Sequence, residues 1–170
     1  MAGATGRSVA TGRDHRREPR EVGVPGAGVV KVKLDYSSLE NAFAQLQRSF
    51  DYLHGDLARM DPDLREQFRA ATIQAFEFTY ELAVKMIQRQ LAQIAANPDA
   101  LRMMDFADQM RDAADAGIIR EALSYVRYRE LRNKTSHTYD VDRAEETVLM
   151  IDEFLRDMRF LLQELSKRNP

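Results

Sequence analysis

Two stretches of this chain carry apolar residues at alternating intervals of four and three. Leu39, Phe43, Leu46, Phe50, Leu53 and Leu57 form one; Ala144, Val148, Ile151, Leu155, Met158, Leu162 and Leu165 form the other. Side chains three and four apart share one side of an α-helix, whereas a half-buried strand needs alternation at every second residue. Both stretches therefore read as amphipathic helices that must bury a seam against other helices. No segment of the chain alternates as a strand does, so the expected class is all-α.

Boundary signals divide the rest. Ser37 with Glu40 three residues later reads as a capping box at the start of the first helix. Asp61-Pro62 reads as an N-cap followed by proline at the first helical position. The helix it opens is expected to run to about Ala96, where Asn97-Pro98 stops it. Two apolar stripes mark this helix as central. One is Leu64, Phe68, Ala71, Ala75, Phe78, Leu82 and Met86; the other is Ile73, Phe76, Tyr80, Ala83, Ile87, Leu91 and Ile94. Glu77, Glu81 and Lys85 form a ladder on a third face, read as a solvated edge with partner contact as the alternative. Residues 99–116 predict a shorter, methionine-rich helix ended by Gly117. Ile118 to Leu131 predict a fourth helix, with Ile119, Leu123, Val126 and either Tyr125 or Tyr128 inward, that delivers Arg132 at its end. Asp142 with Glu145 reads as the cap of the last helix. The architecture predicted is an antiparallel four-helix bundle with one accessory short helix.

Composition narrows the function. The chain has no cysteine, and His15, His54 and His137 are far apart, so neither a thiolate site nor a histidine-built metal site is expected. No cofactor is implied. No apolar run approaches the ~20 residues that span a bilayer, and the N-terminus lacks a secretory apolar segment, so a cytoplasmic location is the default expectation. Charge is uneven. Residues 1–33 hold seven Lys/Arg against three Asp/Glu, and the remainder holds eighteen against twenty-four. The first 33 residues, without apolar periodicity, read as a disordered basic extension in which Arg13, Arg16, Arg17 and Arg20 cluster. The acidic body argues against nucleic-acid binding over its whole surface and leaves room for a local groove.

Chemistry concentrates in Arg132-Asn133-Lys134-Thr135-Ser136-His137-Thr138-Tyr139-Asp140. On one continuous helix Arg132 and His137 would face about 140° apart, so they converge only if the helix ends between them. Asn133, Thr135 and Ser136 favour such an ending, because their short polar side chains compete with helical backbone bonds. On an extended chain His137 and Tyr139 point to the same side. Each residue alone has a structural reading: a carbonyl cap, a turn histidine, a core tyrosine.

The spacing Arg132-x4-His137-x-Tyr139 resembles the signature of HEPN domains. The stretch Gln74-Ala75-Phe76-Glu77-Phe78-Thr79-Tyr80-Glu81-Leu82-Ala83 with Lys85, taken with Arg132 to Asp140, resembles the subfamily of nucleotidyltransferase substrate-binding proteins. The resemblance spans about Leu34 to Leu165. It departs at Val84, where the pattern has tryptophan, and leaves out the basic extension. It implies a helical domain over residues 34–170 and a small homodimer, encoded beside a minimal nucleotidyltransferase. The related toxins of toxin–antitoxin pairs are metal-independent RNases held silent by that partner.

The residues suit such chemistry. Attack by an RNA 2′-hydroxyl needs a proton acceptor and a donor, and an imidazole of pKa ~6.5 serves as either. A guanidinium holds the growing phosphate charge bidentately. One chain supplies one Arg132 and one His137, whereas a two-fold dimer supplies two of each. Asn133, Ser136 and Asp140 stand as supporting residues. Tyr139, an acceptor for a nucleotidyl group, would carry an off-switch: an attached AMP excludes RNA by charge and bulk. The competing expectation is a non-catalytic subunit that binds nucleotide or the partner's substrate, and the third is a purely structural bundle.

Overall fold

The computed structural model describes residues 33–135 and 141–170, with the side chains of 135 and 141–146 outside that description. Its helices are α1 (Ser37–His54), α2 (Asp56–Met60), α3 (Pro62–Ile94), α4 (Pro98–Met103), α5 (Phe106–Asp115), α6 (Ala122–Thr135) and α7 (Val141–Arg168). Among the described residues there is no strand, and no helix is long and apolar enough to cross a membrane.

Pairings along the helices fix their directions. Tyr52 stacks on Phe68 where α1 turns back into α3. Arg159 lies over Phe43 and Asn169 accepts from the Leu34 N–H, so α1 runs against α7. Arg120 bonds Asp157 and Arg127 bonds Glu153, so α6 also runs against α7. Phe76 meets Phe154 and Gln90 meets Asn169, a constant offset that makes α3 and α7 parallel. The four long helices thus form the expected four-helix bundle, and α3 touches each of the other six helices.

Several boundaries follow their caps. The Asp61 carboxylate accepts from the Asp63 and Leu64 N–H groups, and Asn97 does the same for Asp99 and Ala100, so its Asn-Pro both stops α3 and starts α4. Gly117, at φ 68°, ends α5; its N–H bonds the Ala114 carbonyl while that of Ile118 bonds Ala113.

Other expectations need correction. The capping box does not form: α1 begins at Ser37 itself, so Ser37 and Glu40 sit one position too far into the helix. Instead Asp35 accepts from the Ser37 N–H at 3.0 Å, and that bond holds its carboxyl below the ordinary value. The helix expected over 99–116 is two, because Asp105 caps the Asp108 N–H and Met104 is extended. The bundle thus carries α2, α4 and α5 as accessory pieces rather than one. The fourth helix starts at Ala122, since Ile118 and Ile119 are buried in the turn that follows Gly117.

The core follows the seams with a few exchanges. Leu39, Leu46, Ile151, Leu155, Met158 and Leu165 are buried, and Phe154 and Leu161 widen the α7 stripe. Leu57 is exposed because α1 breaks at Gly55 and α2 takes a new phase that buries Ala58. Phe78 and Ile94 of the two α3 stripes are also exposed, as is Leu123 of α6. Thr72 and Thr79 occupy the core beside Ala75, each hydroxyl donating to the carbonyl four residues back (Phe68 and Ala75, both 2.7 Å). A buried hydroxyl satisfied within its own helix carries no desolvation penalty of an orphan group.

Candidate active site at the end of α6

The site begins with how α6 is fixed. Tyr125 and Tyr128 are wholly buried. The Tyr128 ring meets Phe154 edge-on at 5.0 Å, and Phe154 meets Phe76 at 4.9 Å, joining α6, α7 and α3 through aromatic contacts. The Tyr128 hydroxyl donates to Asp157 at 2.8 Å, and the other oxygen of that carboxylate accepts from Arg120 at 3.0 and 2.7 Å. A buried carboxylate thereby has three donors, as its charge requires. Burial, and for Tyr128 the neighbouring Asp157, push both phenols well above the ordinary tyrosine value.

Arg132 lies one turn beyond Tyr128 and is aimed at α3. Its guanidinium donates to the Glu81 carboxylate, 51 residues away, in a half-exposed ion pair. That hydrogen bond, with the charges of Glu81 and Glu77, raises the guanidinium further above its already high value, against some desolvation. Tyr80 sits beside the pair; burial raises its phenol, opposed by the Arg129 and Arg132 charges, so it stays protonated at neutral pH. Arg129 is held away over the Phe106 ring at 4.5 Å. Arg132 is therefore a permanent cation presented at an accessible edge of the bundle by a carboxylate that fixes its direction.

Of the residues singled out from sequence, Arg132 and Asn133 are placed by the structure, Asn133 as an exposed residue of α6. Ser136, His137, Tyr139 and Asp140 lie outside the described residues, as do the Asp142–Glu145 cap and the arginines of the extension. Their convergence on Arg132 rests on the sequence spacing. The residue that sequence reasoning undervalued is Glu81. Its ladder with Glu77 and Lys85 read as a solvated edge, yet Glu81 grips Arg132. No local pattern marked it, because the contact spans 51 residues and depends on how α3 and α6 cross.

His54 is an exposed helix-end residue, its Nδ1–H donating to the Phe50 carbonyl at 2.9 Å. Among the described residues no group of three His, Cys, Asp or Glu is placed to hold a metal ion.

Comparison with known proteins bears on this geometry. The family model described as nucleotidyltransferase substrate binding protein like matches residues 34–167. A probable ribonuclease HepT of Haemophilus influenzae is 39% identical over 139 residues, covering 81% of this chain and 95% of that protein. A solved Haemophilus influenzae structure, described as the fold of a substrate binding domain of a nucleotidyltransferase, superposes with a TM-score of 0.74 at 37% identity. It covers 78% of this chain and 99% of its own.

Proposed function

This chain belongs to the nucleotidyltransferase substrate binding protein like family, and from that membership we propose that it is a metal-independent endoribonuclease. In this reading it is the toxin of a toxin–antitoxin pair, acting in the cytoplasm, whose partner is a minimal nucleotidyltransferase encoded nearby. The observation that carries the proposal is Arg132. Its guanidinium is held by Glu81 at a half-exposed edge and opens the Arg132-x4-His137-x-Tyr139 spacing. The relative named as a probable ribonuclease supports it.

The helical domain over residues 34–170 does the chemistry, and residues 1–33 are an appendage to it. His137 takes the 2′-hydroxyl proton and the same residue of a second copy donates to the leaving 5′-oxygen. Arg132 holds the phosphate as its charge grows. Asn133, Ser136 and Asp140 support the turn. The two Arg132–Tyr139 turns then face each other across a two-fold axis. Phe78 is 56% exposed and lies three residues before Glu81, giving a second copy an apolar contact beside the site. Transfer of AMP to Tyr139 by the partner closes the site through charge and bulk.

The test is RNA cleavage in EDTA by the chain expressed alone. Products ending in 2′,3′-cyclic phosphate are expected, with Arg132→Ala and His137→Ala each slower by about 10²–10⁴-fold and normally helical. Intact RNA with wild-type protein of normal helicity defeats the proposal. Light scattering should give a dimer for the wild type and a monomer for Phe78→Glu; a wild-type monomer removes the two-fold site. Incubation with the partner, ATP and Mg²⁺ should add AMP at Tyr139 and stop cleavage, while Tyr139→Phe escapes.

The second reading is a non-catalytic subunit that binds nucleotide or the transferase's substrate. The solved relative described as a substrate binding domain favours it. Binding without turnover in the same assay would select it.

A further inference from the structure

Beyond Glu81, the same face of α3 continues through Lys85 and Arg89, at successive steps of four residues. Both are exposed, and both line a cavity of about 400 Å³ between α3, α4 and α5, with Arg102 of α4 on its opposite wall. Like charges four apart on a helix repel, and this cavity gathers three cations on a body whose net charge is negative. Asp99 meets Arg102 at 3.4 Å in a pair whose side chains are 81% and 89% exposed, which leaves that cation weakly neutralised, and Glu81, one turn before Lys85, is engaged by Arg132.

The floor is built rather than loose. Gln109 donates to the carbonyls of Leu101 and Met104, both at 3.2 Å, and accepts from Gln88 at 2.8 Å. One amide thus locks α4, α5 and α3 together beneath the cations. Steps of four residues rise about 6 Å along the helix, so Arg132 at Glu81, then Lys85, then Arg89 form a cationic row of near-regular spacing. Such a row matches the repeat of phosphates along an extended nucleic-acid strand better than it matches a single compact anion.

We propose that Lys85, Arg89 and Arg102 form a phosphate track for single-stranded RNA, seating the nucleotides that flank the one held at Arg132. This rests on the ribonuclease reading for what lies at Arg132, but the track is defined by its own cations and cavity. Contacts of this kind bind backbone without reading sequence, and release counterions as they form.

The experiment uses the full chain carrying His137→Ala, so that RNA survives, and fluorescence anisotropy of a labelled single-stranded oligoribonucleotide across a salt series. Lys85→Gln, Arg89→Gln and Arg102→Gln together should weaken binding about tenfold or more. They should also reduce the slope of log affinity against log salt by about 2, from three single-strand phosphate contacts. Circular dichroism should match the parent, since all three side chains are exposed. Equal affinity and slope in parent and triple variant would overturn the track, as would a parent that binds no RNA. Loss of grip on the nucleotidyltransferase with RNA binding unchanged would overturn it in favour of a protein-docking face. If the parent binds with the stated salt dependence while the wild type cleaves nothing, the track stands and the ribonuclease reading falls. If the wild type cleaves and the triple variant binds like its parent, the reverse holds.

Discussion

At the scale of single residues, the Glu81–Arg132 pair joins two requirements. On the proposed ribonuclease reading, the guanidinium of Arg132 has to be directed before a phosphate arrives, and a carboxylate directs it at the cost of competing for it. A pair this open to solvent adds little to stability, so removing it should touch the reaction rather than the fold. If the protein cleaves RNA as proposed, Glu81→Ala is expected to keep its helicity and lower kcat by up to about 10²-fold through a misdirected Arg132. Glu81→Gln retains an acceptor without the competing charge, and should lower KM while keeping most of kcat. Steady-state kinetics on one oligoribonucleotide separates the two; equal losses in both variants would assign Glu81 a charge role instead of a positioning one. Arg132 was legible in the sequence because a helix end, a spacing and a cation coincide there. Its partner was not, since a contact across 51 residues depends on how two helices cross, and no local pattern encodes that.

At the scale of elements, α6 shows why its direction is so well determined. Its hold on α7 rests on Tyr128 and Asp157, joined by Arg120 just before the helix, and on Arg127 with Glu153. Tyr128→Phe keeps the ring contact with Phe154 but withdraws a donor from a buried carboxylate. It should destabilise the protein by about 1–3 kcal/mol, read as a lower urea midpoint with an unchanged slope. An unchanged midpoint would mean that Arg120 alone satisfies Asp157. The seams of α1 and α7 were readable because each has one buried side and a regular period. The stripes of α3 were readable only in part. A helix buried on several sides loses the contrast between apolar and polar faces, and Thr72 and Thr79 enter the core through bonds to their own backbone. The split between α4 and α5 was missed because Asp105 caps a helix from within an otherwise helical run.

At the scale of the whole molecule, Tyr80, Tyr125 and Tyr128, among the described residues, are buried with phenols raised above their ordinary value of 10.0, chiefly by desolvation. The sign of the consequence is fixed. In the unfolded chain these phenols ionise near pH 10, while in the folded protein they keep their protons. Their contribution is therefore fully present below pH 10 and is lost as pH rises beyond it. Each should cost about 1.4 kcal/mol of stability per pH unit above that point. Tyrosinate absorbance is expected to rise in two phases, the second coincident with loss of helical circular dichroism. A single phase completed while the helices persist would contradict the burial.

The position of α3 against all six other helices has one more consequence, for motion. A helix at the rim of a bundle can detach while the rest stays folded, and its amides then trade hydrogen with solvent through that partial opening. The middle of α3 has no such route. Its backbone protons are expected to exchange through opening of the long helices packed on it, at rates approaching those set by the free energy of the entire bundle. The wall that carries Glu81, Lys85 and Arg89 therefore belongs to the slowest-opening part of the protein, and whatever binds there meets a surface that is already in place.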